Sequence, residues 1–169
     1  IRSAGLRYWQ ILPLGPSARG NSPYSALSSF AGNPMLIDLS ELSDVGLLGS
    51  FSGEDEQSGS VDYADVNQSK RSLLNAAARR LLENPQHPWS IDLAKFREQN
   101  EWLADYALFC AIRLRNENLP WWLWSEELRN RDEASLSKER RDAQTLIDEL
   151  ITIQFFFDQQ WRRLRAYCH

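Results

Sequence analysis

The chain has 169 residues, 43% hydrophobic and 25% charged, which fits a folded globular protein and excludes pervasive disorder. Its net charge of −4 gives no general electrostatic basis for binding nucleic acid or an anionic membrane, and the arginine clusters at Arg79-Arg80, Arg140-Arg141 and Arg162-Arg163-Arg165 sit among acidic neighbours on helix-like stretches. No apolar run reaches the length of a membrane span, and the first residues show no basic start leading into an apolar signal region.

The chain opens at Ile1 rather than at a methionine, and Ile1-Arg2-Ser3-Ala4 before Gly5 reads as the last turn of a helix closed by its C-cap glycine. The far end reads as cut too: a helix through Trp161 and Leu164 reaches Tyr167-Cys168-His169 without glycine, proline or polar stop. Residues 8–12, Tyr8-Trp9-Gln10-Ile11-Leu12, are apolar on both faces apart from Gln10, which predicts a strand buried on both sides of a parallel sheet. Such a strand needs pairing neighbours. The chain offers no second run of that quality, because Met35-Leu36-Ile37 is short, so an extended segment packed on helices stays open as the alternative.

Residues 35–48 predict a strand or turn entering a short helix at Asp38-Leu39-Ser40-Glu41-Leu42, and residues 50–60, with Glu54-Asp55-Glu56, predict a solvated loop. From Gln68 the period becomes helical: Leu73, Leu74, Ala77 and Leu81 share one face, and Asn84-Pro85 ends the run. Ser90 is the expected N-cap of a second helix through Phe96, and a third lies between Asn100 and Asn116, ahead of Pro120. Ser125 opens a short helix through Leu128, and Leu146, Leu150, Ile153, Phe157, Trp161 and Leu164 mark a long last helix. Short connections predict that these helices pack together as one antiparallel cluster, with Phe155-Phe156-Phe157 buried on several sides of the last one. Trp121, Trp122 and Trp124 are expected to wedge into the core, with a sugar-stacking platform as the alternative. Cys110 and Cys168, in apolar helical patterns, suggest buried thiols in a reducing, cytoplasmic setting, and two histidines without a matching carboxylate cluster suggest no metal site.

The stretch Leu12-Pro13-Leu14-Gly15-Pro16 followed by Gly20-Asn21-Ser22-Pro23-Tyr24 carries the ligand chemistry. Prolines fix its backbone and glycines allow its turns, so Asn21, Ser22 and Tyr24 are held with little ordering cost on binding. Amide and hydroxyl groups suit sugar hydroxyls, and a tyrosine ring suits the apolar face of a pyranose. A purely structural connector remains the alternative for this loop.

WQILPLGP, GNSPY and SSFAGNPMLIDL, then FREQNEWLADYALFCAI and PWWLW, occur in the same order as in the 4-alpha-glucanotransferase family (amylomaltase, disproportionating enzyme), relatives of the alpha-amylases, and the chain resembles that family over nearly its whole length. The resemblance implies an α/β fold: part of an amylase-like (β/α)8 barrel, mostly α-helical here, with one or two short strands. Residues 1–49 would supply an early barrel strand and active-site loop, and residues 50–169 a mostly helical inserted subdomain leading back to the barrel. It implies an alpha-1,4-glucan substrate, a retaining transfer to the 4-hydroxyl of an acceptor glucan without a cofactor, and a glucan-binding role for Asn21, Ser22 and Tyr24. Two departures stand out. Arg19 occupies a position where some relatives carry a tyrosine at a second glucan site, and the family's catalytic motifs, Arg-Ile-Asp-His, Glu-Asp-Leu-Gly and Thr-His-Asp-Asn, do not occur, so no catalytic residue is assigned. The rival reading is a non-catalytic helical interaction module.

Overall fold

The computed structural model describes Gly5 and residues 7–18, 22–49 and 62–168. Seven α-helices run through the described residues: α1 (Leu39–Asp44), α2 (Tyr63–Leu82), α3 (Trp89–Gln99), α4 (Trp102–Arg115), α5 (Glu126–Arg129), α6 (Glu133–Asp142) and α7 (Gln144–Cys168). A 3-10 turn at Pro34–Leu36 precedes α1, and another at Trp121–Leu123 joins α4 to α5.

The fold is organised around α7, which packs against α2, α3, α4 and α6. Residues 151–156 are buried without a break, because helices and the residue 31–38 segment cover that stretch on every side. Phe155 and Phe156 have no solvent exposure, and Trp89 and Phe96 of α3 meet Phe155 at centroid distances of 5.8 Å each. The fully buried Ala77 and Ala78 of α2 and Ala107 and Ala111 of α4 let those helices lie close to their neighbours. The three buried polar side chains of α7 have partners: Thr152 Oγ1 donates to the Asp148 carbonyl, Glu149 pairs with Arg79, and Gln154 bonds to the Gly32 peptide.

The helices arise where the sequence places them, with boundaries set by caps. α2 starts at Tyr63, five residues before the periodic pattern, because Asp62 accepts hydrogen bonds from the Ala64 and Asp65 amides, while the first turn, with Tyr63 and Val66 both exposed, shows no buried face. Ser90 is not the cap of α3: its hydroxyl donates to the Asn84 carbonyl, and the Trp89 amide donates to His87 Nδ1 instead. That bond leaves the His87 proton on Nε2, which donates to the Val45 carbonyl and ties α3 to the end of α1. α6 was not expected, since Leu136 is its one buried residue and Asp132 starts it by accepting from the Ser135 amide.

Several expectations are corrected. Residues 8–12 form no strand: Tyr8 is 91% and Trp9 50% exposed, and no described segment pairs with them. A strand needs hydrogen-bonding partners along its edges, and none is placed there. Met35-Leu36-Ile37 is no strand either, because Asn33 accepts from the Met35 amide and, with Pro34, starts a 3-10 turn. The sole β-pairing among the described residues is an isolated antiparallel bridge between Ser17 and Ala26. Trp124 is buried, as expected, but Trp121 and Trp122 are exposed. Cys110 and Cys168 are free thiols, but both are half-buried rather than buried. The Glu54-Asp55-Glu56 loop and residues 1–4 lie outside the described residues, while Gly5 has a φ of 71°, as a left-handed C-cap would. Among the described residues no helix is long and apolar enough to cross a membrane, and no cluster of histidine, cysteine and carboxylate side chains is arranged to hold a metal.

Candidate functional site

The proline- and glycine-rich segment folds back on itself. The Ala18 amide donates to the Ser25 carbonyl at 2.7 Å and the Leu27 amide to the Pro16 carbonyl at 2.9 Å, making a narrow hairpin-like loop. Its base is closed by the Asn33 amide donating to the Leu14 carbonyl. Space favours glycine at position 15: a Cβ would sit 3.1 Å from both the Ala26 Cβ and the Ser28 carbonyl oxygen, closer than ordinary contact. Ser22 shapes the return turn, its hydroxyl accepting from the Tyr24 amide and its carbonyl from the Ser25 amide. Past the hairpin, the Ser28 hydroxyl accepts from the amides of Phe30 and Ala31, turning Phe30 to the surface and Ala31 into the core.

This loop forms one wall of a cleft of about 620 Å³. Tyr24 and Phe30 stand on that wall, Trp102 lies at the α3–α4 junction, and Phe157 and Trp161 come from α7. Tyr24 is 77% exposed, so its ring is free of the core. Phe30 and Trp102 stack with centroids 6.1 Å apart and planes 19° apart, giving a flat aromatic face. Trp161 leans against Trp9 at 6.5 Å, which places the 8–12 segment beside the cleft although it forms no strand.

The cleft floor is pinned by one side chain. Gln154 Oε1 accepts from the Gly32 amide at 2.8 Å and Gln154 Nε2 donates to the Gly32 carbonyl at 3.0 Å, so a buried amide reads both sides of one peptide residue. Gln160 repeats the arrangement on Asp38, at 2.7 and 2.9 Å, near the surface. A Cβ on Gly32 would overlap the Phe157 ring, so only glycine fits under the clamp. Asn100 is also committed, donating to the Phe96 carbonyl and accepting from Trp102 Nε1, which fixes the indole. Asp158 is the one carboxylate lining the cleft among the described residues, and it is paired with Arg162. The surface is therefore aromatic with a few hydroxyls and one ion-paired carboxylate, an environment for stacking and orienting a ligand rather than for moving protons.

Of the three residues the sequence singled out, Tyr24 lines the cleft, Ser22 sits in the turn that holds Tyr24, and Asn21 lies outside the described residues, as does Arg19. Sequence reasoning missed Phe30, Trp102, Trp161 and Gln154. Trp102 and Trp161 carry a weak signal, since large aromatics at a helix start and near a helix end are often partly exposed, whereas nothing local marks Gln154 as the partner of a residue 122 positions away.

The whole chain, residues 1–169, matches the family model described as 4-alpha-glucanotransferase. It is 39% identical to the 4-alpha-glucanotransferase of Thermus thermophilus over 98% of this chain and 33% of that protein, and 37% identical to the chloroplastic/amyloplastic 4-alpha-glucanotransferase of Solanum tuberosum over 99% of this chain and 30% of that protein. Among solved structures it is similar to the amylomaltase from Streptococcus agalactiae in complex with acarbose, with a TM-score of 0.83 and 32% identity, over 94% of this chain and 33% of that one. The chain thus spans about a third of the length of the relatives it matches. The match over all 169 residues places the chain in the 4-alpha-glucanotransferase family.

Proposed function

We propose that this chain is one part of a 4-alpha-glucanotransferase, supplying a wall of the glucan cleft and its helical flank, while the catalytic carboxylates lie outside it. The observation that carries the reading is the aromatic cleft: Tyr24, a stacked Phe30–Trp102 pair and Trp161 surround about 620 Å³ next to the proline- and glycine-rich loop. Aromatic faces match the C–H faces of pyranose rings, and the related Streptococcus agalactiae amylomaltase was solved with acarbose. Retaining glycosyl transfer needs two carboxyl groups roughly 5–5.5 Å apart, one to attack the sugar carbon and one to handle the proton. Asp158 alone, held by Arg162, does not make such a pair. The covalent glucosyl intermediate would be released by the 4-hydroxyl of an acceptor glucan in place of water.

In this reading residues 8–12 become a strand of the (β/α)8 barrel when neighbouring strands flank them, which accounts for an apolar run that is exposed here. Residues 1–49 then belong to the barrel and its active-site loop, and residues 50–169 to a helical insertion. Ser22 positions Tyr24 through its turn, and Asn21, next to Ser22 in the sequence, is assigned to the same glucan-binding motif. Tyr24→Ala in the longer enzyme tests the assignment. It should lower kcat/KM for maltotriose by about ten- to a thousandfold, because a misplaced sugar no longer meets the nucleophile in line. Its thermal midpoint should hardly move, since the ring is exposed. Near-normal kinetics in that variant would remove Tyr24 from the site.

A further inference from the structure

The Pro120-Trp121-Trp122-Leu123-Trp124 turn divides its three indoles between two tasks. Trp124 anchors the turn: it is buried, its Nε1 donates to the Leu119 carbonyl at 3.1 Å, and its ring meets Phe109 of α4 at 5.4 Å. Trp121 and Trp122 add little to that packing. They are 52% and 58% exposed, and with Leu119 and Leu123 they leave an apolar patch on one short segment. Their rings stand nearly perpendicular, with centroids 6.0 Å apart. Trp121 also lines a groove of about 300 Å³ between α4, α5 and α6. The groove floor is apolar, with Leu108 and Ile112 of α4 and Leu136 of α6 all buried. Its rim is polar: Asp105 of α4 and Arg131 of the α5–α6 turn pair at 3.1 Å, and both side chains are well exposed.

Together these groups suit an uncharged polyol with an apolar face. An indole matches the C–H face of a pyranose, and a carboxylate beside a guanidinium offers acceptors and donors to neighbouring hydroxyls. The Asp105–Arg131 contact uses one carboxylate oxygen and one guanidinium nitrogen, and no other side-chain hydrogen bond engages either group among the described residues. The pair also cancels its own charge at the rim, and Arg129 adds further donors. Position supplies a second argument. Trp102, Asp105, Phe109 and Ile112 recur every three or four residues on α4 and so share one face. Trp102 lines the aromatic cleft and the other three line the groove, which begins one turn further along the helix. The helix rises about 10 Å from Trp102 to Phe109. A polymer leaving the cleft over the Phe30–Trp102 face and following α4 therefore meets Asp105 and then the groove. The groove volume lies at the lower end of small-molecule sites, so it holds about one sugar ring of such a chain.

We propose that this groove is a distal holding site for long alpha-1,4-glucans, with Trp121 stacked on a sugar ring and Asp105 and Arg131 bonded to its hydroxyls. The ligand class rests on the transferase reading, so the experiment separates holding from turnover. Affinity electrophoresis of the full-length protein in native gels containing soluble amylose reads holding, and initial rates on maltotriose and on amylose read turnover. Trp121→Ala and Asp105→Ala should each raise the amylose dissociation constant and KM about three- to tenfold, in line with the loss of one stacking contact or one hydrogen bond. Both should leave kcat and the maltotriose kinetics unchanged, because a short substrate does not reach the groove. Trp121→Phe keeps a flat ring and should recover part of the loss. Ile91→Ala, at an exposed apolar residue of α3 outside the groove, should change nothing. Circular dichroism checks folding, and Arg131→Gln on its exposed turn repeats the test should Trp121→Ala unfold. The proposal is overturned if amylose retention and KM are unchanged in folded variants, if the maltotriose KM rises as much as the amylose KM, or if hydroxyethyl cellulose, a beta-1,4-glucan, is held as well as amylose. It is equally overturned if Trp121→Ala changes the sedimentation of the protein without changing amylose retention, which would make the patch a contact between copies. Weakened retention in Trp121→Ala beside normal kinetics in Tyr24→Ala would uphold the groove and remove only the cleft assignment.

Discussion

Replacing Gln154 with methionine isolates what one buried amide contributes. Methionine keeps nearly the same volume and helix propensity, so packing on α7 is preserved and the loss falls on the Gly32 peptide groups. Gly32 is buried and Gln154 is 3% exposed, so the Gly32 N–H and C=O lose partners at 2.8 and 3.0 Å in a place with little water. A buried polar group left unpaired costs roughly 1–3 kcal/mol, so two groups set a range of about 2–6 kcal/mol. The open cleft on one side admits water to part of this region, which puts the expected loss in the lower half, about 2–4 kcal/mol. Gln160→Met is the internal control. It removes the same pair of bonds, at 2.7 and 2.9 Å, from Asp38, but there the exposed peptide groups turn to solvent and the cost should stay below about 1 kcal/mol. Urea denaturation of each variant gives the difference, provided the m-value is unchanged. Equal losses for the two variants, or a Gln154→Met loss under about 0.5 kcal/mol, would refute the argument that burial rather than hydrogen-bond geometry sets the cost. Gln154→Glu adds a pH signature. When protonated, the new carboxyl can both donate to the Gly32 carbonyl and accept from its amide, as glutamine does, while the ionised form cannot donate. Burial raises its folded pKa above the unfolded value of about 4.3. The folded state then holds the extra proton more tightly, so this variant should be stabilised as pH falls toward 4.3 and lose that gain as pH rises through the folded pKa.

Gly32→Ala should destabilise by about 2–4 kcal/mol, because the added methyl overlaps the Phe157 ring under a backbone fixed by Gln154; Phe157→Leu in the same chain should recover part of the loss, and no recovery would mean the clash lies elsewhere. Alkaline stability should report Cys110 and Tyr106, both shifted upward by burial. Their stabilisation is fully present below the ordinary thiol value of 9.0 and is lost as pH rises past it, since the unfolded chain releases these protons first. Thermal midpoints measured between about pH 8 and 10.5 should fall less steeply in a Cys110→Ala/Tyr106→Phe double variant than in the parent, and parallel curves would show that these groups stay solvated.

What the sequence makes legible here depends on whether a signal is local. Helix faces are local: Leu74, Ala77 and Leu81 announce α2, and the spacing from Leu146 to Leu164 announces α7. Capping is nearly so, yet Ser90 misled, because a serine one residue inside α3 bonds back to Asn84 while a histidine ring takes the first helical amide. Residues 8–12 fail for a different reason. Their apolar composition reads as strand-forming, but no described segment pairs with them, and the run stands here exposed and without a sheet. The loop chemistry around Tyr24 could be read because proline and glycine constrain the backbone wherever they occur, and its place on the cleft follows from that hairpin. Gln154 could not be read, because a polar residue within an apolar helix is uninformative until the peptide it clamps, 122 residues earlier, is known. Long-range pairings of polar groups, Gln154 with Gly32 and Gln160 with Asp38, tie the loop segment that walls the aromatic cleft to α7. They are set by which faces meet around α7, and because the two clamps lie more than one helical turn apart and share no partner, the effects of Gln154→Met and Gln160→Met should add in the double variant, a clear departure from additivity in urea denaturation marking coupling through the shared loop segment.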